Sequence, residues 1–150
     1  MELARPARAA DRQACTRLLA QALVAAATMR GGAALVGEAT PASLLERWSR
    51  PRDARLLVGE YEGAVVGLAA AKARDAPRGR HGLVECCYVE SPARAVGVGT
   101  ALLEAAVAWC EEQGCVEVDA LALPGDRTTK QRLEAAGFTA RLLTLSRPSG

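Results

Sequence analysis

The segment Arg94-Ala95-Val96-Gly97-Val98-Gly99 sets an arginine and two glycines between a strand-like run and an amphipathic helix. Glycines so placed let the backbone turn sharply, or approach a ligand with no side chain in the way. The helix that follows aims its first unpaired N–H groups and the positive end of its dipole into the same loop. Together these make an anion site suited to phosphate or pyrophosphate, with Arg94 adding charge at its edge. The same pattern also serves a plain strand-to-helix turn, so the loop alone leaves two readings. The three-glycine dinucleotide fingerprint is not met and no Gly-Lys-Ser/Thr follows, which argues against nicotinamide and nucleoside-triphosphate sites. A metal site is not expected either. The five cysteines (Cys15, Cys86, Cys87, Cys110 and Cys115) form no Cys-x-x-Cys pair, and His81 is the single histidine. They read as reduced, mostly buried apolar residues.

The elements that must hold this loop follow from hydrophobic spacing. Asp11 reads as the N-cap of a helix running to about Thr28, with Cys15, Leu18, Leu19, Ala22, Leu23 and Ala26 on one face. Gly31-Gly32 breaks it. A second helix starts at Thr40-Pro41, carries Leu44, Leu45 and Trp48 on one side, and is stopped by Pro51. Residues 56–61 and 64–68 read as strands joined by a Glu62-Gly63 hairpin turn, residues 75–82 as a loop, and 83–89 as a third strand. The helix after the glycine loop buries Leu103, Ala106, Val107 and Cys110 and stops at Gly114. Residues 116–120 alternate as a strand. Asp126 caps a helix that ends at Gly137, and 138–145 reads as a last strand. The order predicts an α/β domain in which a hairpin meander precedes βαβ units.

Composition narrows the function classes. With 150 residues the chain is one domain's worth, and 50% apolar with 24% charged residues it should fold as a globule. A formal charge of +2 and 3% aromatics speak against a nucleic-acid surface. No apolar run reaches the roughly 20 residues of a membrane span, and the first residues have no secretory pattern, so a cytoplasmic protein is expected.

Residues 88–103, Tyr88-Val89-Glu90-Ser91-Pro92-Ala93-Arg94-Ala95-Val96-Gly97-Val98-Gly99-Thr100-Ala101-Leu102-Leu103, resemble motif A of the Gcn5-related N-acetyltransferases (GNAT), whose loop is Arg/Gln-x-x-Gly-x-Gly/Ala. Arg5-Pro6-Ala7 through Ala10-Asp11 resembles that family's first strand and helix start. Leu133-Glu134-Ala135-Ala136-Gly137-Phe138 resembles the Gly-Phe ending of its motif B. The element order fits over nearly the whole chain. The resemblance implies an acyl-CoA N-acyltransferase fold over 1–150: a mixed, mostly antiparallel sheet flanked by about four helices. It implies acetyl-CoA as co-substrate and no metal. The backbone of Val96, Gly97, Val98, Gly99 and Thr100 would hold the pyrophosphate, with Arg94 and Ala95 beside it. The pantetheine arm would lie along Cys87, Tyr88 and Val89, where a backbone N–H polarises the thioester carbonyl.

The implied activity is transfer of acetyl from acetyl-CoA to an amine by direct attack in a ternary complex, with Glu85 as general base. The acceptor would be a small-molecule or protein amine. No nucleic-acid or membrane partner is expected, and homodimers are common in the family. Three positions depart from the pattern. Leu133 stands where a tyrosine acid is usual, which leaves Tyr88, Cys87 or solvent to protonate the thiolate. Asp126 stands where an asparagine is usual, and Ala95 replaces a frequent glycine. These departures motivate the alternative of a catalytically weak or inactive CoA-binding regulatory module. Arg127 and Lys130 are either phosphate contacts or solvated. Arg30 is either an acceptor contact or a loop cation. Trp48 either packs on the sheet or faces the acceptor cleft, Trp109 packs on the sheet, and His81 is a loop residue.

Overall fold

The structure is a computed structural model and describes residues 2–50 and 52–150. Five strands form one sheet in the order β1-β2-β3-β4-β5: β1 Glu2–Pro6, β2 Ala54–Tyr61, β3 Ala64–Ala76, β4 Gly79–Val89 and β5 Cys115–Ala120. The first four are antiparallel neighbours, and β5 joins β4 in parallel. A parallel pair needs a crossover, supplied here by α4, Val98–Glu112. Three helices, α1 Arg12–Ala27, α2 Gly32–Val36 and α3 Pro41–Trp48, precede β2, and α5, Arg127–Ala135, follows β5.

Local chemistry sets several of these boundaries. Glu62 and Gly63 both take left-handed φ values, 51° and 82°, the pair that a two-residue hairpin turn matched to strand twist requires. At α3, the Thr40 hydroxyl oxygen accepts the Ser43 N–H at 3.1 Å, and Pro41 fills the first helical position. The expected stop at Pro51 lies outside the described residues. α3 already ends at Trp48.

The sheet buries both faces. On one, α4 lays Val98, Leu102, Leu103, Ala106 and Cys110 over Leu57, Ala69, Ala71 and Val84. On the other, Cys15, Leu18 and Leu19 of α1 meet Leu44, Leu45 and Trp48 of α3 over Val58, Leu68 and Ala70. The sheet's centre is built of small residues, so α4 sits close to it. A Cβ on Gly59 would lie 2.4 Å from Val98 Cγ1.

Four expectations need correction. Residues 75–82 are not a loop: β3 runs to Ala76 and β4 starts at Gly79, and Arg80 pairs with Asp75 across the ladder at 3.0 Å. Polar composition there reflects an exposed hairpin tip. His81 is accordingly a strand residue, opposite Glu117 of β5. Asp11 does not cap α1 with its side chain. Its carboxylate accepts the Arg8 N–H at 2.7 Å and the Arg5 guanidinium at 2.8 and 3.0 Å.

A short extra helix, α2, starts at Gly32, so among the described residues five α-helices lie around the sheet, against about four expected. Residues 138–145 form no strand. Leu142, Leu143 and Leu145 are exposed, and Arg141 ties the segment to Asp119 through side chains alone. Leu142 and Leu143 are adjacent, so an extended backbone would send them to opposite sides, and the segment has no single apolar face to bury.

Candidate active site

The site arises where the sheet comes apart. Pairing of β4 with β5 stops at Val84 opposite Ala120. Pairing of β4 with β3 continues to Val89 opposite Gly67. From Glu85 to Val89, β4 therefore keeps one edge paired and turns the other toward a gap. The register slips between Ala70 and Ala71, which leaves Glu85 as the unopposed residue of a bulge. A cavity of about 400 Å³ opens at this divergence, walled by Ala22 and Ala26 of α1, Cys87 and Val89 of β4, and Arg132 and Leu133 of α5.

The glycine loop lies at the N-terminus of α4. A 3-10 turn over Ser91–Val96, which includes Ala95 and Val96, ends at Gly97 with φ 86°. This left-handed residue redirects the chain into α4. The first i→i−4 bond is donated by Ala101 to the Gly97 carbonyl at 3.1 Å. The N–H groups of Val98, Gly99 and Thr100 precede it and have no carbonyl inside the helix, so they form the anion-binding end expected of a helix start.

Arg94 is committed to this connection. Its Nε donates to the Val89 carbonyl at 2.9 Å, and its guanidinium carbon lies 5.6 Å from the centroid of the Tyr88 ring. Cys87 and Tyr88 point to opposite faces. The Cys87 thiol donates to the Gly99 carbonyl at 3.7 Å, whereas the Tyr88 hydroxyl donates to Gln21 Oε1 at 3.2 Å. Burial pushes the Cys87 thiol up, while the Arg132 guanidinium beside it pulls the other way. Asp126 caps α5, accepting the Thr129 N–H at 3.1 Å and its hydroxyl at 2.6 Å.

Glu85 has a small polar shell of its own. The Trp48 indole N–H donates to Oε2 at 2.7 Å. Lys72 Nζ lies 3.4 Å from Oε1 and an Arg47 nitrogen 3.5 Å from Oε2. Trp48 thus packs on the sheet and also touches the carboxylate of the candidate base.

The cavity gathers Glu85, Cys87, Tyr88, Val89, Arg94 and Asp126 on its walls. Gly97 and Thr100 are exposed at the helix start beside it. Arg127 reaches the wall; Lys130 and Arg30 are exposed to solvent. Arg132 went unnoticed in the sequence, although it lies three residues after Thr129 and so on the same side of α5 as that residue. Arg47 and Lys72 carried no sequence signal, because Lys72 reaches Glu85 through the register of β3 on β4 and Arg47 through the packing of α3 on the sheet.

The arrangement suits a long ligand that is amide-bearing at one end and anionic at the other. The open β4 edge can pair with an extended amide chain, and the free N–H groups of α4 can take a phosphate. The residues present therefore fit coenzyme A. Among the described residues, no helix is long and apolar enough to cross a membrane.

Comparison with known proteins agrees with this geometry. A tetramutant of a Bacillus halodurans protein has a TM-score of 0.82 at 15% identity, covering 98% of this chain and 99% of that one. An aminoglycoside N-acetyltransferase solved in complex with CoA scores 0.77 at 17% identity, covering 99% and 95%. A ribosomal-protein-alanine N-acetyltransferase from Brucella melitensis biovar Abortus scores 0.73 at 19% identity, covering 100% of both chains. These likenesses establish the fold. No curated protein sequence matches the chain significantly. A model of the Acetyltransferase (GNAT) family matches residues 26–138, which is most of the chain and includes the divergent strands, the glycine loop and α5. The chain belongs to the GNAT acetyltransferase family.

Proposed function

We propose that the protein transfers the acetyl group of acetyl-CoA to a primary amine by direct attack within a ternary complex. The observation that carries this reading is the open β4 edge from Glu85 to Val89, which leads to the unpaired N–H groups at the start of α4. The pantetheine arm pairs with β4 near Cys87, Tyr88 and Val89, and the pyrophosphate meets the backbone of residues 96–100. A β4 backbone N–H polarises the thioester carbonyl.

The amine nitrogen attacks the carbonyl carbon. A C–N bond forms, the C–S bond breaks, and the products are an amide and free CoA. Glu85 takes the proton lost by the amine, directly or through a water, while Trp48 holds its carboxylate in place. The departing thiolate needs a proton, and Leu133 has none to give. Tyr88, a hydroxyl on the cavity wall, is the proposed donor, with Cys87 and water as the other groups at hand. The acceptor is a small-molecule or protein amine.

Leu133 also favours a second reading, a CoA-binding module with little or no turnover. Calorimetric titration with acetyl-CoA and with free CoA, followed by thiol release against a panel of amines, separates these. Saturable binding with amine-dependent thiol release supports the enzyme. Binding with no release above buffer for any amine supports the module. A folded protein that binds neither ligand refutes both.

A further inference from the structure

The guanidinium of Arg132 lies against the first turn of α4. A Cβ built on Gly99 would sit 2.3 Å from Arg132 Cζ, 2.4 Å from Nη2 and 2.6 Å from Nε. No side chain beyond glycine fits at 99 while Arg132 keeps this place. Among the described residues, no carboxylate forms an ion pair with Arg132. Asp126, at the opposite end of α5, is occupied with Thr129. The positive end of the α4 dipole and a guanidinium thus meet with no anionic side chain between them. Arg132 lies in the last turn of its own helix, where a cation is favoured, but against the start of α4 its charge has the wrong sign. It has the right sign for holding an anion from two sides, by backbone N–H groups and by a planar fork of donors matched to phosphate oxygens. Arg94 stands elsewhere on the loop, with its Nε bonded to the Val89 carbonyl and its Nη groups left over.

We propose that Arg132 clamps the pyrophosphate of CoA against the N-terminus of α4, and that Gly99 is small in order to seat its guanidinium. The inference rests on the CoA reading above. It assigns to α5 a phosphate contact that adds to those of the glycine loop.

The test compares wild type, Arg132→Gln and Arg132→Lys by calorimetry with CoA, 3′-dephospho-CoA and S-acetyl-pantetheine. Removal of a charged clamp should weaken CoA and 3′-dephospho-CoA alike, by roughly tenfold to a hundredfold. Lys keeps the charge and loses the fork, so a smaller loss is expected. With S-acetyl-pantetheine, which has no phosphate, the ratio of wild-type to variant affinity should fall toward one.

Equal CoA affinity in wild type and both variants would overturn the clamp and leave the CoA reading standing. A defect that persists with S-acetyl-pantetheine would also overturn it, placing Arg132 at the thioester end or in the scaffold. A defect confined to CoA and absent with 3′-dephospho-CoA would move the contact to the 3′-phosphate. Wild type that binds none of the three overturns the CoA reading itself. Arg132 is only half-buried on a helix with no buried residue, so the variants should fold, and the conservative lysine variant carries the test if the glutamine does not.

Discussion

Replacing Glu85 by Gln separates scaffold from chemistry, because the two costs differ in size. Lys72 Nζ at 3.4 Å from the carboxylate has a raw Coulomb attraction of about 5 kcal/mol at an effective dielectric near 20. Its side chain is 43% exposed and that of Arg47 is 51% exposed, so solvent screening brings each pair down to about 0.2–1 kcal/mol. Gln keeps an oxygen for the Trp48 N–H and loses only the charge assistance of that bond, about 1 kcal/mol. The folded state should therefore lose about 1–3 kcal/mol, measured as a shift in the urea midpoint at unchanged slope. Loss of a general base costs about 10²–10⁴ in rate, or about 3–5 kcal/mol of barrier. The assay is CoA thiol release across pH with a responsive amine. In Glu85→Gln the rate should drop at least about a hundredfold. Trp48→Phe removes the N–H that holds the carboxylate, together with part of a buried ring, and leaves Glu85 in place, so its rate loss should be smaller. A Glu85→Gln enzyme with wild-type rate and pH profile, and only the stability loss, would show that the carboxylate serves as the counter-ion of Arg47 and Lys72 and takes no proton from the amine.

Three further outcomes follow from the packing and ionisation of the fold. Leu102 is fully buried between α4 and the glycine-rich part of the sheet, so Leu102→Ala should cost about 3–5 kcal/mol in urea unfolding. Hydrogen bonds from Arg5 hold the Asp11 carboxyl down at about 2 from an ordinary 3.8. A depressed carboxylate stabilises above its unfolded value, so this contribution is complete above pH 3.8 and drains away as pH falls toward 2. Asp11→Asn should lower stability at neutral pH and flatten the stability–pH curve in that acid window, read by thermal melts. Burial pushes Cys15 up to about 11, and Cys86 and Cys110 up to about 12. At pH 8 these thiols should alkylate more slowly in the folded protein than in urea, about a hundredfold for Cys15 and about a thousandfold for Cys86 and Cys110, by mass-mapped iodoacetamide labelling.

Much of the fold was legible because it rests on local codes. The Glu62-Gly63 turn, the Thr40-Pro41 helix start, the stop at Gly114 and the Asp126 cap are chemistries of adjacent residues, and each stands where its residue types place it. The glycine loop was legible for the same reason: strand, left-handed Gly97 and helix start lie within a dozen residues. The errors came where an outcome depended on distant partners. The tip of the β3–β4 hairpin has a loop-like composition, yet two long strands carry it outward as a ladder. Asp11 had the residue type of a helix cap, but Arg5 and the Arg8 N–H compete for its oxygens.

The two largest differences, at residues 138–145 and at Arg132, share one cause. Strand propensity at 138–145 is real, but a strand exists only with an edge to pair and a face to bury. Adjacent Leu142 and Leu143 deny it a single face, and among the described residues Arg141 supplies the ion pairs that hold the segment to β5. Arg132 is the mirror case. On its own helix it is one polar residue among several, and α5 buries none of its side chains. Its meaning appears only when α5 is set beside α4, where glycine at 99 and guanidinium at 132 become two halves of one contact. A glycine in such a loop is thus open to two explanations, close approach of a ligand or room for another residue's charge. Here the second serves the first. The backbone can reach an anion because Gly99 is bare, and the same bareness lets a cation stand opposite. Gly99→Ala should therefore resemble loss of Arg132. The added methyl meets the flexible end of a side chain and displaces it, which the fold can absorb. CoA affinity should fall, while Gly99→Ala in the Arg132→Gln background should cost clearly less than in wild type, since the group it displaces is already gone. Equal losses in both backgrounds would mean that Gly99 matters for the loop backbone alone, and that Arg132 is not the reason for its size.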